Sequence, residues 1–232
     1  MLNARLLLGR ARPLATRQSC VFGRATMTTS DAPIRFGPFE VTEQVFLTTP
    51  HSFALVNLKP LIPGHVLVCP RAAHERLLDL SPDETADLLA TVQLTQRLLA
   101  RTYFGTGNGG AATSRDTASP SPSSGARGAG SFTVAVQDGP EAGQTVPHVH
   151  VHVIPRTRGD MGEGRPSDDV YVRLAAEAGN VGGALWDRQR RPAPGGDMPR
   201  VEDDDRAVRT AAQMSEEAGR YRMTLRDMGV EQ

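Results

Sequence analysis

The segment His148-Val149-His150-Val151-His152-Val153-Ile154 alternates imidazoles with small apolar side chains, and no other stretch of the chain is so rich in potential chemistry. Successive side chains of a β-strand point to opposite faces, so positions 148, 150 and 152 share one face at intervals of roughly 6.6 Å. Val149, Val151 and Val153 then face the other way, into a core. Imidazole titrates closer to neutrality than any other side chain, so a row of three can bind a metal, move protons or attack an electrophile. Three ordinary core histidines would each need a buried partner. A metal site is a rival on ligand type, since imidazole suits zinc, copper and iron. Against it, three side chains along one flat strand converge poorly, and no nearby cysteine or carboxylate offers a further ligand. Nucleophilic catalysis is the third reading.

The flanks bear on the choice. Gly139, Pro140 and Gly143 bend the chain just upstream, and Gly143-Gln144-Thr145-Val146 can turn consecutive backbone N–H groups toward one point. Such a nest binds phosphate oxygens. Gln137, Gln144 and Thr145 add neutral donors, and His65, after a Gly turn on another strand, is a fourth histidine able to meet the row. An anion cradle beside histidines suggests phosphoryl or nucleotidyl chemistry.

The elements that must hold these residues read as a small sheet with helices. Ile34–Phe39, Gln44–Thr48, Ser52–Leu58, His65–Cys69 and Ser131–Gln137 carry strand patterns, and short spacing favours antiparallel pairing. Ser81-Pro82-Asp83-Glu84 is a helix start with a capping box, and Leu88, Leu89, Val92, Leu99 and Tyr103 continue an amphipathic helix to about Tyr103. A short helix is expected over Asp168–Ala178. A last one is expected over Asp203–Met228, with Asp203, Asp204 and Asp205 at its positive end. The segment 105–131 is Gly, Ala, Ser, Thr and Pro with almost no large apolar residue, and reads as a disordered insertion. The chain thus divides into a leader or extension (1–33), a domain (34–178) interrupted by that insertion, a polar Pro/Gly-rich linker (179–202) and a C-terminal helix (203–232).

The 232 residues suit one compact domain with appendages, and 26 basic against 26 acidic side chains give zero formal charge. That balance argues against broad electrostatic capture of nucleic acid or an anionic membrane. Cys20 and Cys69 are the only cysteines, too few for a disulfide framework or a cysteine-based zinc site. No apolar run has the length to span a bilayer, so a soluble, cytoplasmic protein is expected. Arg5, Arg10, Arg12, Arg17 and Arg24 precede the first acidic residue, Asp31, a composition that suits a mitochondrial presequence. An upstream start codon, with Met27 as the usual first residue, fits the same stretch.

The row His148 to Ile154 resembles the His-φ-His-φ-His-φ-φ pattern of the histidine triad superfamily of nucleotide hydrolases and transferases. Three further blocks resemble its fragile histidine triad branch, the dinucleoside triphosphate hydrolases: Phe53 to Asn57, Pro63 to Pro70 and the loop Gln137 to Val146. The likeness runs from about Ile34 to Arg156 across the insertion and is weaker around Tyr171 and in the last helix. The nucleotidyltransferase branch has glutamine where His152 stands, and the DNA-repair branch carries a zinc finger that is absent here. The purine nucleoside phosphoramidase branch, with serine at the place of Thr145, is the alternative.

The resemblance implies an α+β fold, with about five antiparallel strands, a long helix across them and two sheets joined in a homodimer. It implies cleavage of diadenosine triphosphate to AMP and ADP through an AMP–His150 intermediate. His152 would contact the phosphate and the bridging oxygen, with His148 and His65 orienting the site. Gly143, Gln144, Thr145 and Val146 would hold the α-phosphate, Gln137 would face the leaving nucleotide, Asn57 the ribose, and Phe36, Leu55 and Leu67 the adenine. Phe39 stands where relatives can carry a histidine, so base contacts are expected to differ. A divalent cation, magnesium or manganese, would ride on the substrate phosphates without protein ligands. Some relatives act as signalling modules in the nucleotide-bound state, and Tyr171 and the insertion's serines are candidate phosphorylation sites on that reading.

Overall fold

The computed structural model describes residues 32–104, 130–162, 164–176 and 208–231. Nearly all of the leader and of the insertion, and the whole of the linker 179–202 and of Asp203–Asp205, lie outside these residues. Strands β1 (Arg35–Phe36) and β2 (Phe39–Glu40) form a small hairpin. Strands β3 (Val45–Thr48), β4 (Ser52–Val56), β5 (Val66–Pro70), β6 (Ser131–Val136) and β7 (Val151–Arg156) form one antiparallel sheet in the order β3-β4-β5-β7-β6. With helices α1 (Pro82–Leu99), α2 (Asp169–Ala176) and α3 (Ala211–Asp227), the fold is α+β. No helix among the described residues is long and apolar enough to cross a membrane.

Period-two alternation sorts the central strands onto two faces. Ala54, Val56, Val66, Val68, Val151 and Val153 enter one core with Leu88, Val92, Leu98 and Leu99 of α1 and Met214, Ala218, Tyr221 and Leu225 of α3. Phe53, Leu55, Leu67 and Cys69 point the other way and join Phe36 and Val146. Each fully buried Leu or Phe contributes about 1.5–3 kcal/mol relative to exposure, so this helix-covered face clamps the valines of the histidine strand. The second face carries the histidines.

Helix α1 starts as its sequence dictates. Ser81 Oγ accepts the Glu84 N–H at 3.3 Å and Glu84 returns a carboxylate to the Ser81 N–H at 2.9 Å, with Pro82 at the first helical position. The helix passes into a π-helical turn over Ala100–Phe104. Leu89, expected in the apolar stripe, is 60% exposed, and Thr91, Thr95 and Leu98 occupy the buried face beside Leu88, Val92 and Leu99.

Three further expectations are corrected. Ile34–Phe39 is a hairpin rather than one strand, because Gly37 adopts φ +55° and turns the chain with Pro38. The ladder of β7 begins only at Val151, although His148 and His150 keep the predicted face. Upstream, Pro147 has no N–H, the His148 N–H bonds Val146 O, and the Val149 N–H bonds His74 O. On the neighbouring strand Pro70, also lacking an N–H, ends β5. Helix α3 begins at Ala211 rather than at 203, capped by Thr210, whose Oγ1 accepts the Gln213 N–H.

Candidate active site

The four histidines singled out by sequence come together on the second face, all buried. Their hydrogen-bond partners assign each ring a tautomer. The Gly37 N–H donates to His148 Nδ1 at 2.9 Å, which leaves the proton of that neutral ring on Nε2, donated to Pro70 O at 2.8 Å. Both nitrogens of His148 are thereby spent on backbone. His150 Nδ1 lies 2.8 Å from His148 O, an acceptor only, so Nδ1 carries the proton and Nε2 the lone pair. The Leu61 N–H donates to His65 Nδ1 at 3.1 Å, so His65 bears its proton on Nε2 and gives it to His152 Nδ1 at 3.0 Å. The proton of a neutral His152 then sits on Nε2. With both its nitrogens committed to backbone, His148 has no lone pair to offer a metal beside the other rings.

Burial keeps the row neutral. It pulls His150 down to about 4, partly opposed by the bond to the His148 carbonyl. It pulls His152 well below the ordinary histidine range, with the neighbouring His150 and His65 acting in the same direction. His148 is lowered for the same first reason, against the bond to Pro70. A neutral imidazole with one nitrogen tied and the other basic is a nucleophile in its reactive form.

Phe36 packs on the row, its ring centroid 5.4 Å from His148 and 5.2 Å from His150. The hairpin that carries it depends on Gly37: a Cβ there would stand 2.6 Å from Val146 Cγ1, and φ +55° is left-handed. Phe36, Leu55 and Leu67 do gather as expected, with Phe53, Cys69 and Val146. None of the three is more than 1% exposed, so as they stand they are packing for the histidines first. Phe39 borders this cluster. Asn57 is buried beside His65, its amide Nδ2 3.3 Å from His65 Nε2 and its Oδ1 accepting the Lys59 N–H.

The loop before the triad is wound on itself more than the sequence implies. Gly143, at φ +92°, closes a short 3-10 turn in which the Gly143 N–H bonds Pro140 O and the Gln144 N–H bonds Gly139 O. Two of the four amides expected to face an anion are therefore spent, and only those of Thr145 and Val146 take no part in the loop's own bonds. The Gln144 side chain, 7% exposed, donates to Glu75 O at 2.9 Å and braces the loop instead of pointing outward. Gln137 donates to Leu174 O of α2 at 3.5 Å and stands against Gly143.

Sequence reasoning missed the segment that ties these parts together. His74 O accepts the Val149 N–H at 2.7 Å, Glu75 O holds Gln144, and Asp138 accepts the Leu77 N–H at 2.8 Å and pairs with Arg76. That amide bond, ahead of the arginine, holds the Asp138 carboxyl below the usual range. His74 in turn reaches Glu84 of the α1 cap at 3.0 Å. Most of these contacts are main-chain atoms, which leave no mark in a sequence. Tyr171 is 56% exposed on α2, accessible to a modifying enzyme.

Comparison with known proteins agrees with this geometry. The HIT domain model matches residues 38–159. The chain is 36% identical over 197 residues to the bifunctional bis(5'-adenosyl)-triphosphatase/adenylylsulfatase FHIT of Arabidopsis thaliana, covering 84% of this chain and 86% of that protein. It is 36% identical over 189 residues to the asymmetrical bis(5'-nucleosyl)-tetraphosphatase of Schizosaccharomyces pombe, 79% of this chain and 89% of that one. Among solved structures, the C. elegans NitFhit protein shares 29% identity at a TM-score of 0.52, over 85% of this chain and 31% of the larger one. The Plasmodium falciparum diadenosine triphosphate hydrolase shares the fold at a TM-score of 0.53 and 24% identity, over 86% of this chain and 88% of that one. With the triad, its loop and its sheet all in place, the chain belongs to the HIT domain family, among relatives of the FHIT type.

Proposed function

We propose that this protein hydrolyses dinucleoside polyphosphates, diadenosine triphosphate first, to AMP and the remaining nucleotide. The observation that carries the reading is the single bond from His150 Nδ1 to the His148 carbonyl, which leaves a basic Nε2 on a buried neutral ring. That nitrogen attacks the α-phosphorus while the bond to the departing nucleotide breaks, giving a phosphorus–nitrogen bond to AMP. Water then splits that bond, releasing AMP and restoring the ring, so two displacements replace one harder one. His152, its proton held on Nε2 by the His65 bond, donates a hydrogen bond to the bridging oxygen as charge builds there. The Thr145 and Val146 amides serve the phosphate oxygens, and Asn57 and the Phe36, Leu55 and Leu67 cluster border the nucleoside. The names of the relatives, bis(5'-adenosyl)-triphosphatases and a bis(5'-nucleosyl)-tetraphosphatase, support the substrate class.

A divalent cation, magnesium or manganese, travels with the substrate to offset its charge. The second protomer of a homodimer docks along β6, a sheet edge whose Val134 and Val136 are 44% and 37% exposed. The enzyme works in the cytoplasm, and the arginine-rich residues 1–30 support a mitochondrial share, which sequencing of the mature N-terminus tests.

Purified protein given diadenosine triphosphate or diadenosine tetraphosphate, with products separated by chromatography, tests the activity. AMP plus ADP from the triphosphate is the expected result. Far faster cleavage of adenosine phosphoramidate would instead assign the chain to the purine phosphoramidase reading.

A further inference from the structure

Asn57 follows the last residue of β4 that pairs with β5, Val56 opposite Val66. Its carbonyl accepts from a residue 152 positions away. Arg209, just ahead of the α3 cap, bonds that carbonyl oxygen through Nε at 2.9 Å and through Nη2 as well. Its own N–H bonds the next carbonyl, Leu58 O, at 3.1 Å. The third arm of the guanidinium, Nη1, pairs with Glu217, a carboxylate only 5% exposed. Tyr221 donates to the other Glu217 oxygen at 2.7 Å, and Tyr103 meets Tyr221 at 2.8 Å between hydroxyls. The arginine is thus held at every end.

Two N–H groups of one rigid fork on a single carbonyl fix the tilt of the peptide plane as well as its position. The residue so held packs its amide 3.3 Å from His65 Nε2, a contact of packing between two N–H donors, and that nitrogen donates to His152 Nδ1. We infer that Arg209, braced by Glu217, is a positioning residue for the His65–His152 pair. It makes the C-terminal helix part of the catalytic unit although it lies beyond residues 38–159 of the family match. The inference rests on the role proposed above for His152.

A double-mutant cycle on diadenosine triphosphate hydrolysis tests it, with rates normalised to folded protein measured by circular dichroism. Arg209→Lys keeps the pairing charge for Glu217 but loses the fork, and Arg209→Met loses both. We expect kcat to fall about tenfold in Arg209→Met and less in Arg209→Lys, with KM unchanged, because positioned proton donors contribute about 10²–10⁴-fold. In a His152→Asn background the same substitutions should cost nothing further, since groups acting through one another are non-additive. An equal loss in both backgrounds, or none in either, overturns the positioning role. Wild-type kcat in His152→Asn alone would instead remove the role of His152, and this inference with it. Should Arg209→Met fail to fold, Arg209→Lys and Glu217→Gln complete the same cycle.

Discussion

His150 Nδ1 lies 2.8 Å from the carbonyl oxygen of His148, and the N–H of that same peptide group donates to His74 O at 2.7 Å. One peptide unit therefore links the strap at His74 to the His150 ring, and hydrogen bonds in such a chain reinforce each other. On the function proposed, replacing the ring should end the chemistry without emptying the site. His150→Asn should lower kcat by at least about 10⁴-fold, in the range seen when a covalent nucleophile is removed. Binding of a non-hydrolysable diadenosine triphosphate analogue, followed by calorimetry, should persist. Retained turnover, or no adenylate trapped on His150 in the wild type, would remove the covalent mechanism.

Acid should weaken the fold through the same ring. His150 titrates at about 4 in the folded protein against an ordinary 6.5, because it is buried. Between those values the unfolded chain binds a proton that the folded one refuses. Its contribution is therefore complete above the unfolded value and is lost as pH falls toward the folded one. Each unit in that window costs about 1.4 kcal/mol for one such ring, and His148 and His152 act in the same direction. Urea midpoints measured between about pH 7 and pH 5 should fall accordingly. Midpoints that stay level would mean the rings are already charged in the fold.

Gly37→Ala isolates the hairpin's share. A methyl group there meets Val146 at 2.6 Å and sits at φ +55°. The strain should cost about 1–3 kcal/mol. It should also pull the Gly37 N–H from His148, so kcat falls in protein that is still folded at low temperature. Thermal melting and single-turnover rates, measured on the same sample, check both effects.

If magnesium or manganese binds through substrate phosphates, chelation with EDTA should slow hydrolysis without moving the melting temperature in the absence of substrate. The rate on restoring metal should saturate with substrate concentration rather than protein concentration. A tight one-to-one metal complex of the protein alone, seen by calorimetry, would contradict this.

Much of the site was legible because it follows local rules. The alternation of His148 to Val153 fixed which side chains enter the core and which face the chemistry, and Ser81 to Glu84 announced the start of α1. The boundaries were less legible where proline acts at a distance: Pro147 and Pro70 withhold N–H groups from neighbouring strands, so the ladder ends at Val151. The turn at Gly37 hid inside an apolar run that reads as one strand. The carbonyls of Pro70, His74 and Glu75 hold His148, Val149 and Gln144 in turn, yet any residue supplies a carbonyl. Arg209 meets Asn57 only once the chain is folded, so no spacing in the sequence joins them.

The cap of α1 has a consequence for how this protein fails when heated. Glu84 closes the helix over Ser81 and also holds His74, whose carbonyl anchors Val149 beside His150. First turns fray well before cores melt. Warming should therefore extinguish turnover while circular dichroism still reads native, so that the rate serves as the molecule's most sensitive thermometer.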